Sequence, residues 1–133
     1  MKNILTDANI FLEFFLDQEK GESCKNFIDK ISSGEINVII SIFSVDSIII
    51  SLIKHKVVLE KALSFLRGLE SSGLRVYYPD VKDRMESLNW IQKYKLDYED
   101  ALTLQSALSS GCKEIMSFDK HFDKVKEIKR IEP

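Results

Sequence analysis

Little in this chain could staple or interrupt a fold: two cysteines, two prolines and five glycines are spread over 133 residues. Cys24 and Cys112 stand alone, without the paired spacing of a zinc site or a disulfide framework, so neither support is expected and a reducing, cytoplasmic setting is implied. No low-complexity tract, linker or internal repeat breaks the chain. Positive charge is also short. Nineteen Lys and Arg against 21 Asp and Glu leave a net charge of −2, which excludes a global basic field, so any nucleic-acid contact must be local. No apolar run is long enough for a membrane span, and the N-terminal one is too short for a signal peptide. What the chain does have is 44% apolar residues, enough for one compact domain over residues 1–133 to bury a core unaided.

Short β-rich runs alternate with helical segments, the pattern of an α/β protein: a three-layer α/β/α sandwich around a mostly parallel sheet of roughly five strands. The expected strands are Lys2–Leu5, Asn37–Ser41, Arg75–Tyr78, Glu114–Met116 and Ile128–Ile131. Cys24, Phe27, Ile28 and Ile31 form an i, i+3, i+4, i+7 helix stripe that ends near Gly34, and a second helix is expected from Ser44 to Lys54. Val58, Ala62, Leu66 and Leu69 mark a third helix, Val81, Met85, Leu88 and Ile91 a fourth, and Ala101, Leu104, Gln105 and Leu108 a fifth. Gly73 and Gly111 close the third and the fifth.

Four segments leave an aspartate just beyond an apolar run: Asp7, Asp46, the pair Asp97 and Asp100, and Asp119. Carboxylates held together without a counter-charge are costly, so a convergent set points to a divalent cation. Ligands of parallel sheets bind outside the carboxyl ends of the strands, where Asp7 and Asp119 fall. Mg²⁺ or Mn²⁺ takes oxygen ligands octahedrally and leaves positions for a phosphate oxygen and a water, which suits phosphodiester hydrolysis. Each aspartate also has a plainer role. Asp7 suits the N-cap of a helix beginning at Asn9, Asp97 and Asp100 the first turn of the fifth helix, and Asp119 the cap of a short helix through Phe122. His55 and His121, each flanked by lysines, are expected at the solvated surface. Lys93, Lys95, Lys120, Lys124, Lys126, Lys129 and Arg130 suit a local phosphate track or a solvated face equally well. Trp90, Tyr94 and Tyr98 suit base stacking, or more simply the core.

Asp7 with Asn9 after the first strand, Asp100 in Asp100-Ala101-Leu102-Thr103-Leu104, and Ser117-Phe118-Asp119-Lys120-His121-Phe122 after a late strand together resemble the PIN domain, as found in VapC-type toxins. The resemblance runs from about residue 2 to 131. It implies a metal-dependent ribonuclease with a four-carboxylate site, commonly homodimeric, whose activity is held in check by a small antitoxin protein. Residue by residue, it implies Asp7, Asp100 and Asp119 as catalytic, metal-binding carboxylates with Mg²⁺ or Mn²⁺, and Asn9 as the usual second polar position. Ser117 belongs to the same late motif, and Asp97 is a further candidate, to orient a water or hold a second ion. The apolar helices around Phe11–Leu16 and Val57–Leu69 are expected to pair two copies.

The fourth carboxylate is where the chain departs from that family. The family's Glu lies about six residues beyond a strand-end Ser, and from Ser41 that register falls on Ser47. Asp46 comes one residue early, and one step along a helix is a rotation of about 100°. Ser44, Ser47 and Ser51 make a polar stripe that would face the site instead. The missing Glu also suits a degenerate PIN-like module that binds RNA or a protein without cleavage, whereas a receiver-like domain phosphorylated on Asp80 fits poorly, because the first strand supplies one acidic residue, Asp7, where a receiver has a pair.

Overall fold

The structure, a computed structural model, describes residues 3–57 and 59–133. Lys2, expected to open the first strand, and Val58, expected on the third helix's stripe, lie outside the described residues. The chain runs β1 (Asn3–Thr6), α1 (Ala8–Phe15), α2 (Gly21–Ser32), β2 (Asn37–Ser41), α3 (Ile42–Lys54) and α4 (Leu59–Ser71). It continues through β3 (Leu74–Tyr77), α5 (Val81–Tyr94), α6 (Tyr98–Ser109), β4 (Glu114–Met116), a 3₁₀ turn (Lys120–Lys124) and β5 (Lys129–Ile131). All strand pairs are parallel, in the order β3-β2-β1-β4-β5.

A parallel sheet needs cover on both faces, and strand alternation provides for it. Val38 and Ile40 enter the core under α1 to α4, whereas Leu5, Ile39 and Ile115 enter the core under α5 and α6. Each such fully buried aliphatic contributes about 1.5–3 kcal/mol. Gly111, at φ +78°, ends α6 in a conformation that side chains resist, and the turn it makes lets Cys112 N–H donate to Ala107 O at 2.8 Å as the chain enters β4. Both cysteines are buried free thiols.

Two helices are rotated from the expected stripes. In α4 the inward residues are Ala62 and Phe65, with Leu69 half-buried, while Leu66 is exposed along with Leu59 and Leu63. In α5 three of the four expected residues face out, Val81 73%, Met85 64% and Leu88 58% exposed, and only Ile91 packs against the core. The cause is a polar seam. Asp80 caps the helix by accepting Asp83 N–H at 2.8 Å, and the Asp83 carboxylate in turn accepts Asp80 N–H at 3.1 Å. The buried Asp83 carboxylate then accepts the hydroxyls of Tyr77 and Ser109, both at 2.6 Å, which joins β3, α5 and α6. Burial alone would raise Asp83, but these bonds outweigh it and hold the group below the usual carboxylate value. Asp80 is thus occupied as a cap.

Candidate metal centre

The sheet order reverses at β1, which pairs with β2 on one side and with β4 on the other. That switch point opens a crevice at the carboxyl ends of β1 and β4. Thr6 pairs with Met116, so the next residues, Asp7 and Ser117, emerge side by side. Asp7 caps α1 by accepting Ala8 N–H at 2.8 Å, which starts the helix one residue earlier than expected. Its other oxygen accepts the Ser117 hydroxyl at 2.7 Å and the Asn9 amide at 3.3 Å. Ser117 Oγ accepts Asp119 N–H at 3.0 Å, while Asn9 Oδ1 accepts Phe118 N–H. Asn9 and Ser117 therefore act as a brace that fixes the β1 and β4 ends relative to each other.

The cleft over this brace has a volume of about 510 Å³ and is lined by Asp7, Asn9, Asp97, Asp100 and Asp119, with Glu99 as a further carboxylate. Asp97 caps α6 by accepting Asp100 N–H at 2.8 Å, and Asp119 caps the 3₁₀ turn by accepting His121 N–H at 2.9 Å. Capping and a place on the cleft are thus compatible for Asp97 and Asp119, because each of these caps uses one acceptor site and leaves others on the carboxylate available. Ser47 and Ser51 of α3 line the opposite wall with Lys54 and His55. Ser44, expected on the same stripe, is buried, and Asp46 is exposed without lining the cleft.

Like charges gathered on one cleft are held at a cost. Burial pushes the Asp7 carboxyl up to about 6, with Glu99 and Asp119 adding to it against the bonds from Ser117 and Ala8. Burial, then the neighbouring Asp119, pushes Asp100 up to about 7. Oxygens of Asp100 and Asp119 and a ring nitrogen of His121 lie within 4.8 Å of one another, so these side chains fit one divalent ion.

The PIN domain family model matches residues 4–128. The chain belongs to the PIN domain family. No curated protein matches its sequence, but solved structures do match its fold. VapC20 of Mycobacterium tuberculosis, a toxin that cleaves the sarcin–ricin loop, superposes with a TM-score of 0.75 at 14% identity, over 95% of this chain and 98% of that one. A toxin–antitoxin complex from Klebsiella pneumoniae matches at 0.72 and 17%, over 94% of each chain. VapBC2 from Rickettsia felis, bound to a DNA fragment of its promoter, matches at 0.73 and 14%, over 98% of each.

Several groups on this PIN domain correct the sequence reading. Glu99 joins the cleft although it stands between two more conspicuous aspartates and matches no motif in the sequence. Both histidines are exposed, as expected, and in addition His55 lines the cleft while His121 has Nδ1 3.1 Å from Asp119 and 3.4 Å from Asp100. The phosphate track loses Arg130, which pairs with Asp123 at 2.7 Å and donates to Ser117 O, and Lys93, which pairs with Glu127. Trp90 stacks on buried Tyr94 and donates to Gln105, so the base-stacking role falls away for both.

Proposed function

We propose that this PIN domain is a divalent-metal-dependent ribonuclease that hydrolyses RNA phosphodiester bonds, and that it is the toxin of a toxin–antitoxin pair. The observation that carries the reading is the meeting of Asp7, Asp97, Glu99, Asp100 and Asp119, from three chain segments, on one cleft at the sheet's switch point. Family membership and the likeness to VapC toxins support it. Asp7, Asp100 and Asp119 would hold Mg²⁺ or Mn²⁺. Such an ion supplies a more acidic water and neutralises the charge that develops on the phosphate.

The chain's own groups do the rest. The Asn9–Ser117 brace aims Asp7, so that one side of the cleft is set before substrate arrives. Asp97 is exposed at the rim with one oxygen taken by its cap, and the other is free to orient a water. Lys54 and His55 on the α3 wall face the acidic groups and offer donors to a phosphate oxygen of RNA. An antitoxin protein is the expected partner.

A second reading, an RNA- or protein-binding module without cleavage, is favoured by one feature: Ser47 stands on the cleft wall at the register where the family's Glu is expected. One assay separates the two. Purified protein with Mn²⁺ or Mg²⁺ should cleave RNA, and Asp7→Asn should lower the rate by about 100-fold or more. RNA binding with a cleavage rate equal to that of Asp7→Asn would establish the binding module instead.

A further inference from the structure

We propose that His121 is a ligand of the metal ion, so that the centre of this chain is a mixed nitrogen and oxygen site. The inference rests on the metal-dependent reading above and adds the identity of one ligand and the class of ion it selects. Two ligand atoms bound at right angles, each roughly 2.1 Å from one ion, lie roughly 3.0 Å apart. His121 Nδ1 lies 3.1 Å from Asp119 Oδ1, the oxygen that also accepts the His121 N–H, and 3.4 Å from Asp100 Oδ2, close to that spacing on both sides.

The position is prepared by the backbone. Asp119 holds the His121 N–H at 2.9 Å, which fixes the first turn of the 3₁₀ segment and leaves the ring to fold back over the two carboxylates. Phe122, the next residue, is fully buried and anchors the turn from below. Across the cleft, α3 presents the hydroxyls of Ser47 and Ser51 and the cation of Lys54, so that wall offers no carboxylate to complete a shell. Asp7 gives one oxygen to the α1 cap and the other to the brace, and each keeps a lone pair for the ion. The imidazole is thus placed to join the carboxylates on the ion, with the ring proton on Nε2 and the Nδ1 lone pair toward it.

The consequence is selectivity. Imidazole suits transition ions, whereas Mg²⁺ prefers oxygen, so the site should favour Mn²⁺ and Co²⁺ over Mg²⁺. The chain has two histidines, His55 on the cleft wall and His121 against Asp100 and Asp119, so two variants separate them. Pulsed electron paramagnetic resonance of the Mn²⁺-loaded full chain should show a directly bound nitrogen. Its coupling should change when the histidines carry ¹⁵N, persist in His55→Gln and vanish in His121→Ala. Calorimetric titration should show Mn²⁺ affinity falling about tenfold or more in His121→Ala, and Mg²⁺ affinity changing less than about threefold. A nitrogen signal that follows His55, none at all, no Mn²⁺ binding at millimolar concentration, or equal losses for both ions would overturn the proposal. Nitrogen ligation without RNA cleavage would support the ligand and discard the ribonuclease; cleavage with an all-oxygen ion would do the reverse.

Discussion

Asp7 and Asp100 are both 7% exposed and both sit above the ordinary carboxylate value of 3.8, at about 6 and about 7. The folded protein therefore keeps protons that the unfolded chain has released between pH 4 and 7, and the contribution of these groups to stability falls as pH rises through that window. Each tenfold change in proton affinity is worth about 1.4 kcal/mol. In chelator, the melting temperature should fall from pH 5 to pH 8, with a flatter slope in Asp100→Asn. Saturating Mn²⁺ should raise it more at pH 8, where the carboxylates are free of protons. Thermal scans at both pH values check this, and a metal-induced rise larger at pH 5 would remove the carboxylates from the site.

The helix is the unit that decides which side chains reach the cleft. Ser47 lines it while Asp46, one position earlier on α3, is exposed. Ser47→Glu should strengthen Mg²⁺ binding and Mg²⁺-dependent cleavage by adding an anionic oxygen, and Asp46→Asn should cost less than Asp7→Asn. Parallel metal titrations of the three variants decide this; a null Asp46→Asn protein beside an unimproved Ser47→Glu would move the fourth ligand to Asp46. On α5 the seam through Asp83 carries the packing. Asp83→Ala strands the Tyr77 and Ser109 hydroxyls and should cost about 2–4 kcal/mol, whereas Leu88→Lys should stay within about 0.5 kcal/mol of the parent in urea unfolding.

At the scale of the whole molecule, part of the surface expected to pair two copies is already used within one. Phe11 and Phe65 are buried, with ring centroids 5.2 Å apart, which ties α1 to α4. Ile50, Ile53, Leu59, Leu63 and Leu66 remain exposed on α3 and α4, apolar side chains that a second copy would cover. A homodimer through this face should sediment at twice the 15.3 kDa of the chain, and Leu59→Lys with Leu63→Glu should return it to the monomer. A monomer at micromolar concentration in the parent protein would withdraw the dimer. Among the described residues, no helix is long and apolar enough to cross a membrane.

The parallel sheet was legible in the chain because buried strands read as short continuous aliphatic runs, and Asn37–Ser41 and Glu114–Met116 coincide with the expected strands residue for residue. The order of the aspartate motifs was legible for a similar reason, since a residue just past a strand end inherits its place from the strand. Helix faces were less so. Apolar spacing in α5 pointed to Val81, Met85 and Leu88, but the buried face is the one that hydrogen-bonds α6 through Asp83, and partners 22 and 26 residues away leave no local period. The same holds for the cleft. His121 meets Asp100 across 21 residues and Asp7 meets Ser117 across 110, so their chemistry arises only when the sheet closes. Local patterns set the elements because those depend on neighbours in the chain, and the site was left to the fold because its charges are neighbours only in space.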